Sequence, residues 1–168
     1  MTVTALRRSP DTLTMTIDAE FDASAERVWQ LWADPRQLER WWGPPSYPAT
    51  FTVHDLAPGS RVEYYMTGPT GDKPRGYWDI IETDPPRSLV FVDGFAHDDG
   101  TPNDAFPRNE ARVTIEGVGE ESPLEAARLT LAGICASVAL GPVLPPDGST
   151  LFGVRGAIER RDKALPTP

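Results

Sequence analysis

Apolar and polar positions alternate along Leu13-Thr14-Met15-Thr16-Ile17-Asp18-Ala19-Glu20-Phe21, a pattern that predicts a half-buried strand. The period then changes. Val28, Leu31 and Trp32 recur at i, i+3 and i+4, so a helix follows, with Ser24 placed to cap it. Asp34-Pro35-Arg36-Gln37 restarts a second short helix, with Asp as cap, Pro at the first helical position and Gln three residues beyond the cap. Leu38, Trp41 and Trp42 follow at helical spacing until Gly43-Pro44-Pro45 breaks it. From there the period is two. Candidate strands are 50–56, 61–66, 76–83, 89–95, 112–116 and 128–132, separated by Gly- and Pro-rich turns. Short strands joined in this way make an antiparallel meander, seven strands with the first. Residues 1–11 read as a flexible N-terminal tail.

The last third breaks the pattern. Gly133, Gly141, Pro142, Pro145, Pro146, Gly148 and Gly153 rule out a long helix across 133–153, which reads as an atypical loop. Helical spacing returns only in 154–165, where Val154, Ala157, Ile158 and Leu165 share a side. That helix would span about 18 Å at 1.5 Å per residue.

Composition narrows the function classes. The 168 residues fit one domain, and the net charge of -9 argues against nucleic acid or an anionic membrane as partner. Cys135 is the sole cysteine, so no intrachain disulfide forms and a cytoplasmic location fits. Arg7 and Arg8 have no apolar run behind them, so residues 1–10 do not read as a signal peptide. No stretch approaches the roughly 18 apolar residues of a membrane span.

The order and spacing of several short motifs carry a family resemblance. They run from Phe21-Asp22-Ala23-Ser24-Ala25-Glu26-Arg27-Val28-Trp29 through Asp34-Pro35 and Leu38-Glu39-Arg40-Trp41-Trp42-Gly43-Pro44 to Asp55-Leu56-Ala57-Pro58-Gly59. They continue in Met66-Thr67-Gly68-Pro69, Glu82-Thr83-Asp84-Pro85-Pro86, Leu89-Val90-Phe91 and Arg112-Val113-Thr114-Ile115. Over roughly residues 12–132 the chain resembles the START-like helix-grip superfamily, and within it the bacterial domains similar to the C-terminal domain of the activator of heat-shock-protein ATPase. The resemblance implies an α+β fold for residues 12–168. In it a seven-stranded antiparallel curved sheet carries two short helices after its first strand and packs on a C-terminal helix. It also implies a ligand cavity between sheet and C-terminal helix. Ala57 and Ser60 depart from the arginine and glycine that relatives usually carry.

Strand parity proposes the lining of that cavity. Val62, Tyr64 and Met66 share one face of their strand, Trp78 and Ile80 share one face of the next, and Leu89, Phe91 and Phe95 share a parity. Trp42, Tyr64, Trp78, Phe91 and Phe95 are therefore the candidate ligand-binding residues; core packing explains each ring equally. Glu82 reads either as a cavity carboxylate or as the partner of a strand-edge arginine. His54 and His97 lack metal spacing and read as exposed or hydrogen-bonded strand residues. Asp98-Asp99-Gly100 with Asn103 and Asp104 fails the twelve-residue calcium pattern and reads as a solvated loop. Cys135 has no basic neighbour to activate it. No metal or cofactor is expected, and no catalytic residue is assigned.

Three functions compete, in this order. The first is a non-enzymatic binder of a hydrophobic or aromatic small molecule. The second is a chaperone-associated protein-interaction module. The third is a cyclase-type enzyme using the same cavity, with Tyr64, Glu82 or His97 as acid or base. A short C-terminal helix would cover less of the sheet, leaving the cavity either open to solvent or covered by a second subunit in a homodimer.

Overall fold

The computed structural model describes residues 2–117 and 126–134. In chain order the elements are β1 (Thr2–Ser9), β2 (Thr14–Phe21), α1 (Ala25–Ala33), α2 (Pro35–Leu38), β3 (Ala49–Val53), β4 (Arg61–Met66), β5 (Arg75–Asp84), β6 (Ser88–Ala96), β7 (Asn109–Gly117) and β8 (Ala127–Ile134). The strands form one antiparallel sheet in the order β1-β2-β8-β7-β6-β5-β4-β3. The meander from β3 to β8 returns the chain beside β2, so the first alternating segment lies inside the sheet. Among the described residues the sheet has eight strands rather than seven. The extra one is β1, formed by residues of the stretch read as a tail. Its ladder to β2 runs from the Thr2–Glu20 pair to the Ser9–Thr14 pair with one irregularity. Of the expected loop 133–153, Gly133 and Ile134 end β8. The remainder of that loop, Cys135 and the expected helix at 154–165 lie outside the described residues.

Caps start both helices where the sequence placed them. Ser24 Oγ accepts the Arg27 N–H at 3.3 Å, and Asp34 accepts the Arg36 N–H at 2.8 Å and the Gln37 amide at 3.1 Å. α1 lays Val28, Trp29 and Trp32 onto β7 and β8, above Met15, Ile17, Val113, Ile115, Leu129 and Leu131. Complete burial of an aliphatic side chain of this size is worth about 1.5–3 kcal/mol. The face carrying the helices is the inner face of the sheet.

Side-chain donors finish what the short helices leave open. The last carbonyls of α1 have no partner within the helix. Trp41 Nε1 donates to the Leu31 carbonyl at 3.1 Å. His54, just after β3, bonds the Trp32 carbonyl through Nε2 at 3.0 Å, which places its proton on that nitrogen. α2 serves the edge strand β3 in the same way. Glu39 Oε1 accepts the Phe51 N–H at 2.9 Å and Arg36 Nη2 donates to the Phe51 carbonyl at 3.2 Å. Arg36 and Glu39 are themselves paired at 2.8 Å. This ion-paired clip occupies both outward backbone groups of Phe51, where a further strand would otherwise dock.

Candidate functional site

Two adjacent cross-strand rows build the centre of the inner face. One row runs Val62–Trp78–Asp93–Asn109 across β4, β5, β6 and β7. The next runs Phe51–Tyr64–Gly76–Phe95 across β3, β4, β5 and β6. Gly76 is the enabling residue. A Cβ there would collide with the Cζ and hydroxyl of Tyr64, so only glycine lets this ring lie flat across β5. The phenol thereby reaches β6 and donates to Asp93 Oδ1 at 2.9 Å.

Aromatic rings surround this pair. Trp78 stacks on Phe91 with centroids 4.4 Å apart, and Trp42 meets Trp78 edge-on at 4.7 Å and Tyr64 at 6.0 Å. Phe51 lies 5.2 Å from Tyr64, and Trp32 closes the far side at 6.2 Å from Phe91. Of the candidate residues, Trp42, Tyr64, Trp78 and Phe91 thus form one buried cluster. Phe95 stands apart at 48% exposure, with its ring 5.0 Å from the equally exposed Phe106. Each inward parity read from the sequence puts its residue on this face. Tyr77 takes the opposite face as expected, yet it is buried there under the Arg61 guanidinium, 4.4 Å from the ring centroid.

Asp93 is the site residue that the sequence reading missed. It sits on the same inward parity as Leu89, Phe91 and Phe95, an acid in an otherwise apolar set, and that mismatch is its sequence signal. Its accessible surface is intermediate, but its carboxyl is walled by rings and strands. Desolvation pushes its pKa up to about 7, partly offset by the hydrogen bond from Tyr64 and by the Trp78 indole. That indole N–H is buried without a partner of normal hydrogen-bond geometry, so it favours the carboxylate through its dipole rather than a formed bond. Tyr64 is pushed well above the ordinary phenol range, first by burial and then by the negative charge of Asp93. No cation contributes to the balance at Asp93 among the described residues.

The three acid–base candidates do not converge. Glu82 is exposed on β5, His97 is exposed beyond β6, and only Tyr64 lies in the cluster. His54 is half-buried, and desolvation lowers its pKa. It lines an open groove of about 470 Å³ with Trp29, Leu56, Pro58 and Pro85, at the end of α1. Among the described residues no three His, Cys, Asp or Glu side chains gather as metal ligands, and no helix is long and apolar enough to cross a membrane.

An antiparallel sheet whose inner face carries two short helices over an apolar core is the architecture of a START-like domain. The profile of the Activator of Hsp90 ATPase homolog 1-like protein family matches residues 22–126, and the chain belongs to that family. A crystal structure of protein Ms6760 from Mycobacterium smegmatis is similar at 42% identity and a TM-score of 0.73, covering 99% of both chains. A solution structure of an Arthrobacter aurescens protein is similar at 40% identity and a TM-score of 0.77, covering 96% of this chain and 90% of that one. A Rhodobacter sphaeroides protein, 17% identical with a TM-score of 0.72 over 96% of this chain and 98% of that one, shares the fold. No curated protein matches the chain.

Proposed function

We propose that the protein binds a small hydrophobic or aromatic molecule at the inner face of the sheet, without catalysing a reaction on it. Trp42, Tyr64, Trp78, Phe91 and Phe95 supply the apolar wall. The observation that carries this reading is the Tyr64–Asp93 hydrogen bond set among aromatic rings. A core needs no carboxyl there, and burying one is costly. Apolar pockets with a few converging polar groups of shifted pKa are the usual form of a ligand site.

The test is thermal unfolding and Trp fluorescence with 1-naphthol, indole and decanol. A ligand at one hundred times its Kd stabilises the folded state by about 2.7 kcal/mol, so Tm rises with concentration. Phe95→Ala is the cleanest variant because Phe95 is 48% exposed. It should weaken binding severalfold while leaving the melting temperature of the free protein nearly unchanged. A wild-type Tm unmoved by all three compounds sinks the proposal.

One observation favours a second reading. Phe95 and Phe106 form an exposed aromatic pair, and exposed apolar patches mark contact surfaces for other proteins. The family's name makes an Hsp90-type chaperone the partner to try. Calorimetric titration with that chaperone, giving heat that Phe106→Ala abolishes, would favour this reading over a small molecule.

A further inference from the structure

We propose that the ligand of this site carries a basic nitrogen on its apolar body, and that the Asp93 carboxylate is the counter-ion that receives it. The inference rests on the reading of the inner face as a ligand site and adds the ligand's chemical class.

Three observations converge on a cation. First, the site's one carboxyl lacks a positive partner among the described residues. Its row neighbours Val62, Trp78 and Asn109 are uncharged, Tyr64 of β4 donates to it, and Trp42, after α2, packs edge-on against Tyr64 and Trp78. The charged residues nearest in sequence on the flanking strands have the other parity. Arg61, Glu63, Arg75, Asp79, Glu110 and Arg112 therefore project to the outer face, where Arg61 is already paired with Asp79 at 2.7 Å. Second, a carboxylate accepts several hydrogen bonds, and Tyr64 supplies one of them. An ammonium group brings further donors together with the missing charge. Third, the surroundings are aromatic. The negative ring faces of Trp and Tyr attract a cation and repel an anion, and the net charge of -9 acts in the same direction at longer range. A fatty acid or other carboxylate would meet Asp93 and these rings with the wrong sign.

Protonation of Asp93 makes the preference depend on pH. Its pKa of about 7 means that the carboxylate prevails at pH 8 and the neutral acid at pH 5.5. Amine binding therefore strengthens as pH rises through 7, while an alkylamine itself stays protonated throughout.

The experiment compares 4-phenylbutylamine, 4-phenylbutanol and 4-phenylbutanoate by Trp fluorescence titration of the full chain at pH 8 and pH 5.5. Expected at pH 8 is an amine affinity at least tenfold above that of the alcohol, with the carboxylate weakest. At pH 5.5 the amine should lose most of that advantage. Asp93→Asn keeps the shape and an acceptor for Tyr64, so it should fold, which thermal unfolding verifies. It should bind the alcohol as before and the amine no better than the alcohol. Tyr64→Phe should retain the amine preference in reduced form, because the charge remains. Equal binding of all three compounds by the wild type, or an amine preference that survives Asp93→Asn, overturns the inference while leaving the ligand site intact. If none of the three binds at millimolar concentration, the site reading falls and the inference with it.

Discussion

Asp93 is held in the fold against its own charge, and that has a measurable effect on stability even without ligand. Its pKa is raised to about 7 in the folded state, against about 3.9 in an unfolded chain. Between these values the folded state binds more protons than the unfolded one, so unfolding free energy falls as pH rises from about 4 to 7. Asp93→Asn should flatten this slope and raise stability most at pH 7 and above. Urea unfolding at pH 4.5, 6 and 7.5 measures it, and parallel curves for the two proteins would refute the assignment. This pair was only half legible in the sequence. Tyr64 could be placed by strand parity because alternation is a property of one strand. Its contact with Asp93 depends on strand order, on register and on Gly76 lying between them, none of which a single strand's alternation encodes.

The elements show the same division between local and non-local information. Both helix starts were legible because Ser24, Asp34 and Pro35 act on backbone groups two or three residues away. The partners of the last α1 carbonyls were not, since these are satisfied by Trp41 and His54, 10 and 22 residues further on. β1 was missed for a related reason. Most of its side chains are exposed, so it lacks the apolar alternation that betrays a strand, and it is a strand because β2 offers it a ladder. His54 allows a direct test at this scale. His54→Ala leaves the Trp32 carbonyl without its donor and removes the ring that meets Phe51 at 5.9 Å. It should lower stability by about 1–3 kcal/mol, whereas His54→Gln, which can still donate an N–H, should recover part of that. Chemical denaturation of the two variants decides, and identical losses would show that the hydrogen bond contributes nothing.

At the scale of the whole molecule, the described residues form an open sheet with β1 at one edge and β3 at the other. The two edges are treated differently. β3 is five residues long and its Phe51 groups are held by Arg36 and Glu39, while β1 presents eight residues. The double variant Arg36→Ala/Glu39→Ala should release the β3 edge, with the larger cost to stability coming from Glu39, whose side chain is only 17% exposed against 63% for Arg36. Light scattering at high protein concentration should then show assemblies that lengthen with time, where the wild type reaches a fixed small size. In the language of polymer chemistry, a sheet with two reactive edges is a bifunctional monomer and grows without limit. One whose second edge is already capped is monofunctional. Strand pairing through β1 would consume its single reactive end, so the product of one encounter is also the last, and the Arg36–Glu39 clip acts as a chain terminator built into every molecule.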